Sequence, residues 1–78
     1  MAQRFAAPSD DVVSDNSLFL DWVGLSLSTM TTKQQVVDWS ESADVRAAFF
    51  AVKKRSPATF TQAVGLADER TLELDVSS

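Results

Sequence analysis

Apolar side chains recur at helical spacing most clearly in the stretch ADVRAAFFAVKKR, residues 43–55. Val45, Ala48, Phe49 and Val52 stand at i, i+3, i+4 and i+7, the spacing of one helix face. Alanine is abundant, and the cations come last, where the helix dipole favours them. The pattern therefore predicts an amphipathic helix with these four side chains turned inward.

A helix is also predicted over about 16–26, where Leu18 and Trp22 follow helical spacing. The segment 9–17 is acidic and contains several residues that can cap a helix, so we expect it to lead into this helix. Its far end is ambiguous. Residues 25–30 begin with alternating leucine and serine after a glycine, so this stretch can instead be extended.

The stretch TTKQQVVDWS, residues 31–40, predicts another helix. Thr31 can cap its start, and Gln34 stands three residues later, as a capping box requires. Val36 and Val37 give it a narrow apolar face, which Trp39 closes. We expect Trp39, like Phe49, to be buried.

Two further segments follow the helix at 43–55. Ser56 can cap a short helix in which Pro57 takes the first position, and Gly65 is a natural terminator. The last segment, 71–76, alternates leucine or valine with acidic residues, which is typical of a half-buried strand. A single strand is not stable alone, so it needs a ladder partner such as 25–30 or another chain.

Together these patterns predict a mainly α fold: a small bundle of about four short helices with an extended, strand-like C-terminal segment. The fold would be α+β if residues 25–30 paired with 71–76. Residues 1–9 have no periodicity and are expected to form a flexible arm, with 10–78 as a single small helical domain. A chain of 78 residues buries only about 60% of its unfolded surface, so packing or oligomerisation must stabilise it.

Composition narrows the chemistry. The chain has no Cys, His or Tyr, which removes disulfides and the commonest bases, nucleophiles and metal ligands. The chain has only two glycines, which are too few for a glycine-rich phosphate-binding loop. We therefore expect no enzymatic activity, no metal, no cofactor and no small-molecule substrate. No uncharged stretch approaches the roughly 20 residues of a membrane span, and no signal sequence is evident, so the expected location is the cytoplasm of the producing or host cell.

The net charge of −4 is distributed unevenly. Residues 1–45 hold two cations against seven acids, a net of −5. Residues 46–66 hold four cations and no acid, and residues 67–78 hold one cation against four acids, a net of −3. The basic block can attract an acidic partner or the acidic flanks of its own chain.

One alternative is a helix-turn-helix DNA-binding regulator that uses residues 43–65. A helix, a short polar turn and a second helix fit that outline. The residues that would contact DNA are Arg46, Lys53, Lys54, Arg55, Thr59, Thr61 and Gln62. The sequence pI of about 4.4 and a second helix without cations count against it, and serine capping with proline explains the turn equally well.

The leading interpretation is a non-catalytic protein–protein interaction or assembly module. Phe50 lies about 100° from Phe49 on a helical wheel, so it points away from the main apolar stripe. The strand-like tail also needs a partner. The candidate partner-binding residues are Phe50, Leu72, Leu74 and Val76. We expect self-association or a protein partner. The small size, the acidity and the absence of catalytic or metal-binding residues are compatible with a phage or viral accessory or structural protein.

Overall fold

A computed structural model describes residues 8–77, and every element of regular secondary structure within that range is a helix. The helices are α1 (Asp10–Ser14), α2 (Asn16–Ser28), α3 (Lys33–Glu41), α4 (Ala43–Arg55) and α5 (Pro57–Ser77). The predicted mainly α class is therefore confirmed for the described residues. The arm predicted over 1–9 lies, except for its last two residues, outside them.

The predicted strand at the C-terminus is wrong. Residues 71–76 belong to α5, and residues 25–28 belong to α2, so the α+β alternative fails as well. Leu74 is buried, whereas Leu72 and Val76 are exposed. Successive residues in a helix are about 100° apart, so a residue and its second neighbour point in nearly opposite directions. An alternating sequence can thus bury one side chain of three without forming a strand.

Gly65 does not end a helix, contrary to the sequence-based expectation. It lies inside the 21-residue α5, and no described residue has a positive φ. A Cβ atom built at Gly65 would meet nothing within 4 Å. The helix therefore continues through this glycine without needing its special backbone freedom.

Replacing Gly65 by Ala is expected to raise the free energy of unfolding by about 0.4–1 kcal/mol, because alanine restricts the unfolded chain and favours helix. Urea denaturation at low protein concentration measures the change. Gly24→Ala is the variant for comparison, because Gly24 also lies within a helix and has open space at its Cβ position. A loss of stability in Gly65→Ala would restore the interpretation of this glycine as a helix terminator.

Local sequence signals set the limits of α4 and the starts of α2 and α3. The segment 43–55 forms α4 with the predicted limits. The capping box of α3 is present one residue later than expected: Thr32 accepts from the amide of Gln35 at 3.2 Å, and the Gln35 side chain accepts from the Thr32 amide at 3.1 Å. Asp15 caps α2 by accepting from the amide of Leu18 at 3.1 Å.

Aromatic side chains form the centre of the core. Phe49 of α4 packs edge-on against Phe19 of α2, Trp39 of α3 and Phe60 of α5, with ring centroids 5.3, 5.6 and 6.1 Å away. Trp22 closes the cluster against Phe19 and Trp39. Trp39 is 1% exposed, as predicted, and Phe49 is partly buried. These contacts hold four helices together through one side chain.

Arg70 ties α5 to the end of α2. Its guanidinium donates to the carbonyl oxygens of Leu27 at 3.1 Å and Met30 at 2.7 Å. Carbonyls at a helix end lack intrahelical partners and carry the negative end of the dipole, so a cation there is favourable.

Among the helices of residues 8–77, none is both long and apolar enough to span a membrane.

Candidate functional site

An apolar groove with a volume of about 430 Å³ lies between α3, α4 and α5. Trp39 and Phe49 belong to its lining as well as to the core. Val37 of α3, Phe50 of α4 and Val64 of α5 line it from the three helices. We call this surface the apolar groove.

Phe50 is the most distinctive side chain of the groove. Phe49 turns toward the core and Phe50, the next residue, is 53% exposed. The 100° step of a helix explains why two adjacent phenylalanines have such different environments. Binding surfaces often contain a large aromatic side chain that is half exposed to solvent beside an apolar recess.

Few polar groups line the groove. Arg46 and Asp68 are exposed and lie on its α4 and α5 sides, and the hydroxyls of Ser40 and Thr71 complete the polar part of the lining. Neither Arg46 nor Asp68 forms an ion pair with another residue of the described range. The rest of the lining is apolar, so the groove can receive apolar side chains.

The remaining predicted partner-binding residues do not gather in the groove. Leu72 and Val76 are 64% and 87% exposed on α5, outside the groove lining, and Leu74 lies in the core. In a strand all three would lie on one face. In the helix they divide between surface and interior.

The basic residues at the end of α4 have separate environments. Arg55 donates to the Val13 carbonyl at 2.6 Å and to the Asn16 side chain, so it joins α4 to the N-terminal helices. The Lys53 ammonium lies 5.1 Å from the centre of the Phe60 ring, a cation–π contact. Lys54 is exposed and forms no ion pair within residues 8–77.

In the DNA-binding alternative the second helix is the start of α5, where two threonine hydroxyls form hydrogen bonds within the chain. The turn between α4 and α5 is Ser56 alone. Thr59 is 4% exposed and shares a hydrogen bond with Ser56 at 2.9 Å, and Thr61 donates to the Pro57 carbonyl at 3.0 Å. Gln62 is exposed. Of the seven residues considered for DNA contact, Thr59 is therefore buried and the other six are exposed.

The sequence patterns assign Val37 and Val64 to inward faces, not to a groove, and give no role to Asp68; in the structure all three line the groove. Each lies beside a position whose side chain is buried or partly buried: Val36, Ala63 and Ala67. Such neighbours of core positions are where a groove wall can form, and this was the available signal. Within residues 8–77, no group of three or more acidic side chains is placed to hold a metal ion.

Comparison of the chain with models of known families, with curated proteins and with solved structures found no match.

Proposed function

We propose that this chain is a non-catalytic protein-interaction module whose apolar groove binds a helix of a protein partner. The observation that carries the proposal is Phe50, 53% exposed at the side of an apolar groove of about 430 Å³. A groove between helices commonly receives apolar side chains at i, i+3 or i+4, and i+7 of an amphipathic helix. Aromatic side chains contribute strongly to such interfaces when a partner excludes water from them.

The charges around the groove favour a partner with acidic side chains. Arg46 lines the groove, and Lys53 lies against Phe60, another lining residue. Asp68 is the one acid of the lining. A partner helix with apolar anchors and an acidic flank would contact the α4 side favourably.

The absence of Cys, His and Tyr supports a non-catalytic role. An accessory or structural protein of a phage or virus, in the cytoplasm of its producing or host cell, is a setting that suits such a module. Small size and acidity are the reasons for that part of the proposal.

A displayed library of helical peptides, selected on the parent protein and counter-selected on Phe50→Asp, tests this function. We expect enriched peptides with apolar residues at helical spacing and acidic flanks. Phe50→Ala should weaken their binding about 30-fold, since losing an interface aromatic costs about 2 kcal/mol or more. Tryptophan fluorescence can report the titration, because Trp39 lines the groove.

Leu25→Ala provides the control, because Leu25 is 70% exposed on α2 and does not line the groove. It should bind the selected peptides as the parent does. Selection of no peptide, or equal binding by Phe50→Ala, would contradict the proposal. DNA binding that falls steeply with salt, and that Lys53→Gln with Lys54→Gln removes, would instead support the helix-turn-helix alternative.

A further inference from the structure

The two ends of the apolar groove differ in charge. Helices α4 and α5 are joined by Ser56 alone and pack against each other. Close to this turn, the Lys53 ammonium lies over the ring of Phe60, a lining residue, and the segment 46–67 contains no acid. Ten and twelve residues from Ser56, Arg46 and Asp68 both line the groove. The turn end therefore has a positive charge, and the far end has one charge of each sign.

The Lys53 ammonium can accept a partner's carboxylate. Lys53 is exposed and forms no ion pair with another residue of the described range. The Phe60 ring covers one side of the ammonium, which has three N–H donors. The acidic helix α1 lies on the Arg55 side of α4, since Arg55 donates to the Val13 carbonyl. Residues two apart in a helix point about 200° apart, so Lys53 faces away from α1.

We propose that the partner helix of the groove carries a carboxylate in its first turn and places it at Lys53. The partner then runs from the Ser56 turn toward Arg46 and Asp68, in the direction opposite to α4. This inference rests on the proposed function and specifies the partner by the position of its acid and by its direction.

The length of the groove along α4 suits such a helix. Arg46 and Lys53 are seven residues apart, which is about 10.5 Å or two helical turns. Three apolar anchors at i, i+3 or i+4, and i+7 of a partner span the same distance. Phe50 lies between the two cations, where the middle anchor would contact it.

The helix dipole of the partner decides its direction. An acid in the first turn of a helix stabilises that helix, whereas an acid in the last turn destabilises it. A partner with its acid in the first turn is therefore more helical before it binds, and less ordering opposes its binding. The far end of the groove adds no preference, because the charges of Arg46 and Asp68 have opposite signs.

Three displayed peptide libraries test the position of the acid. All have apolar anchors at helical spacing, and they carry one Glu in the first turn, one Glu in the last turn, or Gln at both places. Selection on the parent should enrich the first-turn library over the other two. Lys53→Gln should weaken binding of its peptides about fivefold, the upper range for an exposed ion pair, and added salt should reduce this difference.

Variants of α4 provide the controls. Lys54→Gln removes the same charge one residue later, at a side chain outside the groove lining, and should bind the first-turn peptides as the parent does. Lys53→Arg keeps the charge and should retain their affinity. Lys53→Glu should instead prefer the same peptides with Lys in place of Glu. Circular dichroism confirms that each variant is folded.

The outcomes distinguish this inference from the proposed function. Equal enrichment of the three libraries, or equal losses in Lys53→Gln and Lys54→Gln, overturns the position of the acid and leaves the groove's function in place. Enrichment of the last-turn library overturns the direction. Selection of no peptide from any library contradicts the proposed function itself. Salt-sensitive DNA binding that Lys53→Gln removes, in a protein that selects no peptide, overturns both proposals.

Discussion

Replacing Phe49 by Ala is expected to lower the free energy of unfolding by about 3–5 kcal/mol. The Phe49 ring contacts Phe19, Trp39 and Phe60, which belong to three other helices. Truncation removes these contacts at once and leaves a cavity at the junction. Such a loss is comparable to the whole stability of a small domain, about 5 kcal/mol at the low end, so the variant should be largely unfolded.

Phe50→Ala is the matched control for Phe49→Ala. It makes the same change one residue later in the same helix, at a side chain that is more than half exposed. At low protein concentration its stability should stay within about 0.5 kcal/mol of the parent's, as for most surface substitutions. Thermal and urea denaturation followed by circular dichroism measure both. Equal melting curves for the two variants would show that Phe49 does not join the helices as described.

Replacing Arg70 by Met is expected to lower the free energy of unfolding by about 1.5–3 kcal/mol, the range for hydrogen bonds made by charged groups. Arg70 donates to Leu27 and Met30 carbonyl oxygens at the end of α2, which then lose these donors. Methionine preserves much of the apolar stem, so the change reports mainly on the guanidinium. The loss should appear first as loosening of α2 against α5.

Lys54→Met serves as the control for Arg70→Met, since it also replaces a cation but at an exposed position without an ion pair in the described range. Its stability should change by no more than about 0.5 kcal/mol. Amide hydrogen exchange at the end of α2 adds a local measurement. Protection there that is unchanged in Arg70→Met would contradict the capping role.

Much of the local structure could be predicted from sequence, because its causes act within one or two turns. The limits of α4 followed from its apolar spacing and from the cations at its end. The α3 capping box was displaced by one residue, because Thr31 and Thr32 precede Gln34 and Gln35 and both pairs have the required spacing. Pro57 opened α5 as expected.

The candidate site could be predicted only in part. The position of Phe50 off the apolar stripe was visible on a helical wheel, and it stands at the side of the groove. Arg55 was counted among candidate DNA contacts because a charge at a helix end gives no sign of its partner. Val13 and Asn16, which it contacts, lie about 40 residues earlier in the chain, with separations of 42 and 39.

The sequence by itself determined that this is a mainly helical chain, where most helices begin, and which of two adjacent phenylalanines faces inward. Tertiary structure decided the state of the C-terminal segment and the existence of the groove. Alternation of Leu72, Leu74 and Val76 is compatible with strand or helix. Contacts of α5 with the rest of the fold favour the helix, because Leu74 is buried in the core and Arg70 donates to carbonyl oxygens at the end of α2. The groove exists because Val37, Phe50 and Val64, distant in sequence, line one recess where three helices meet.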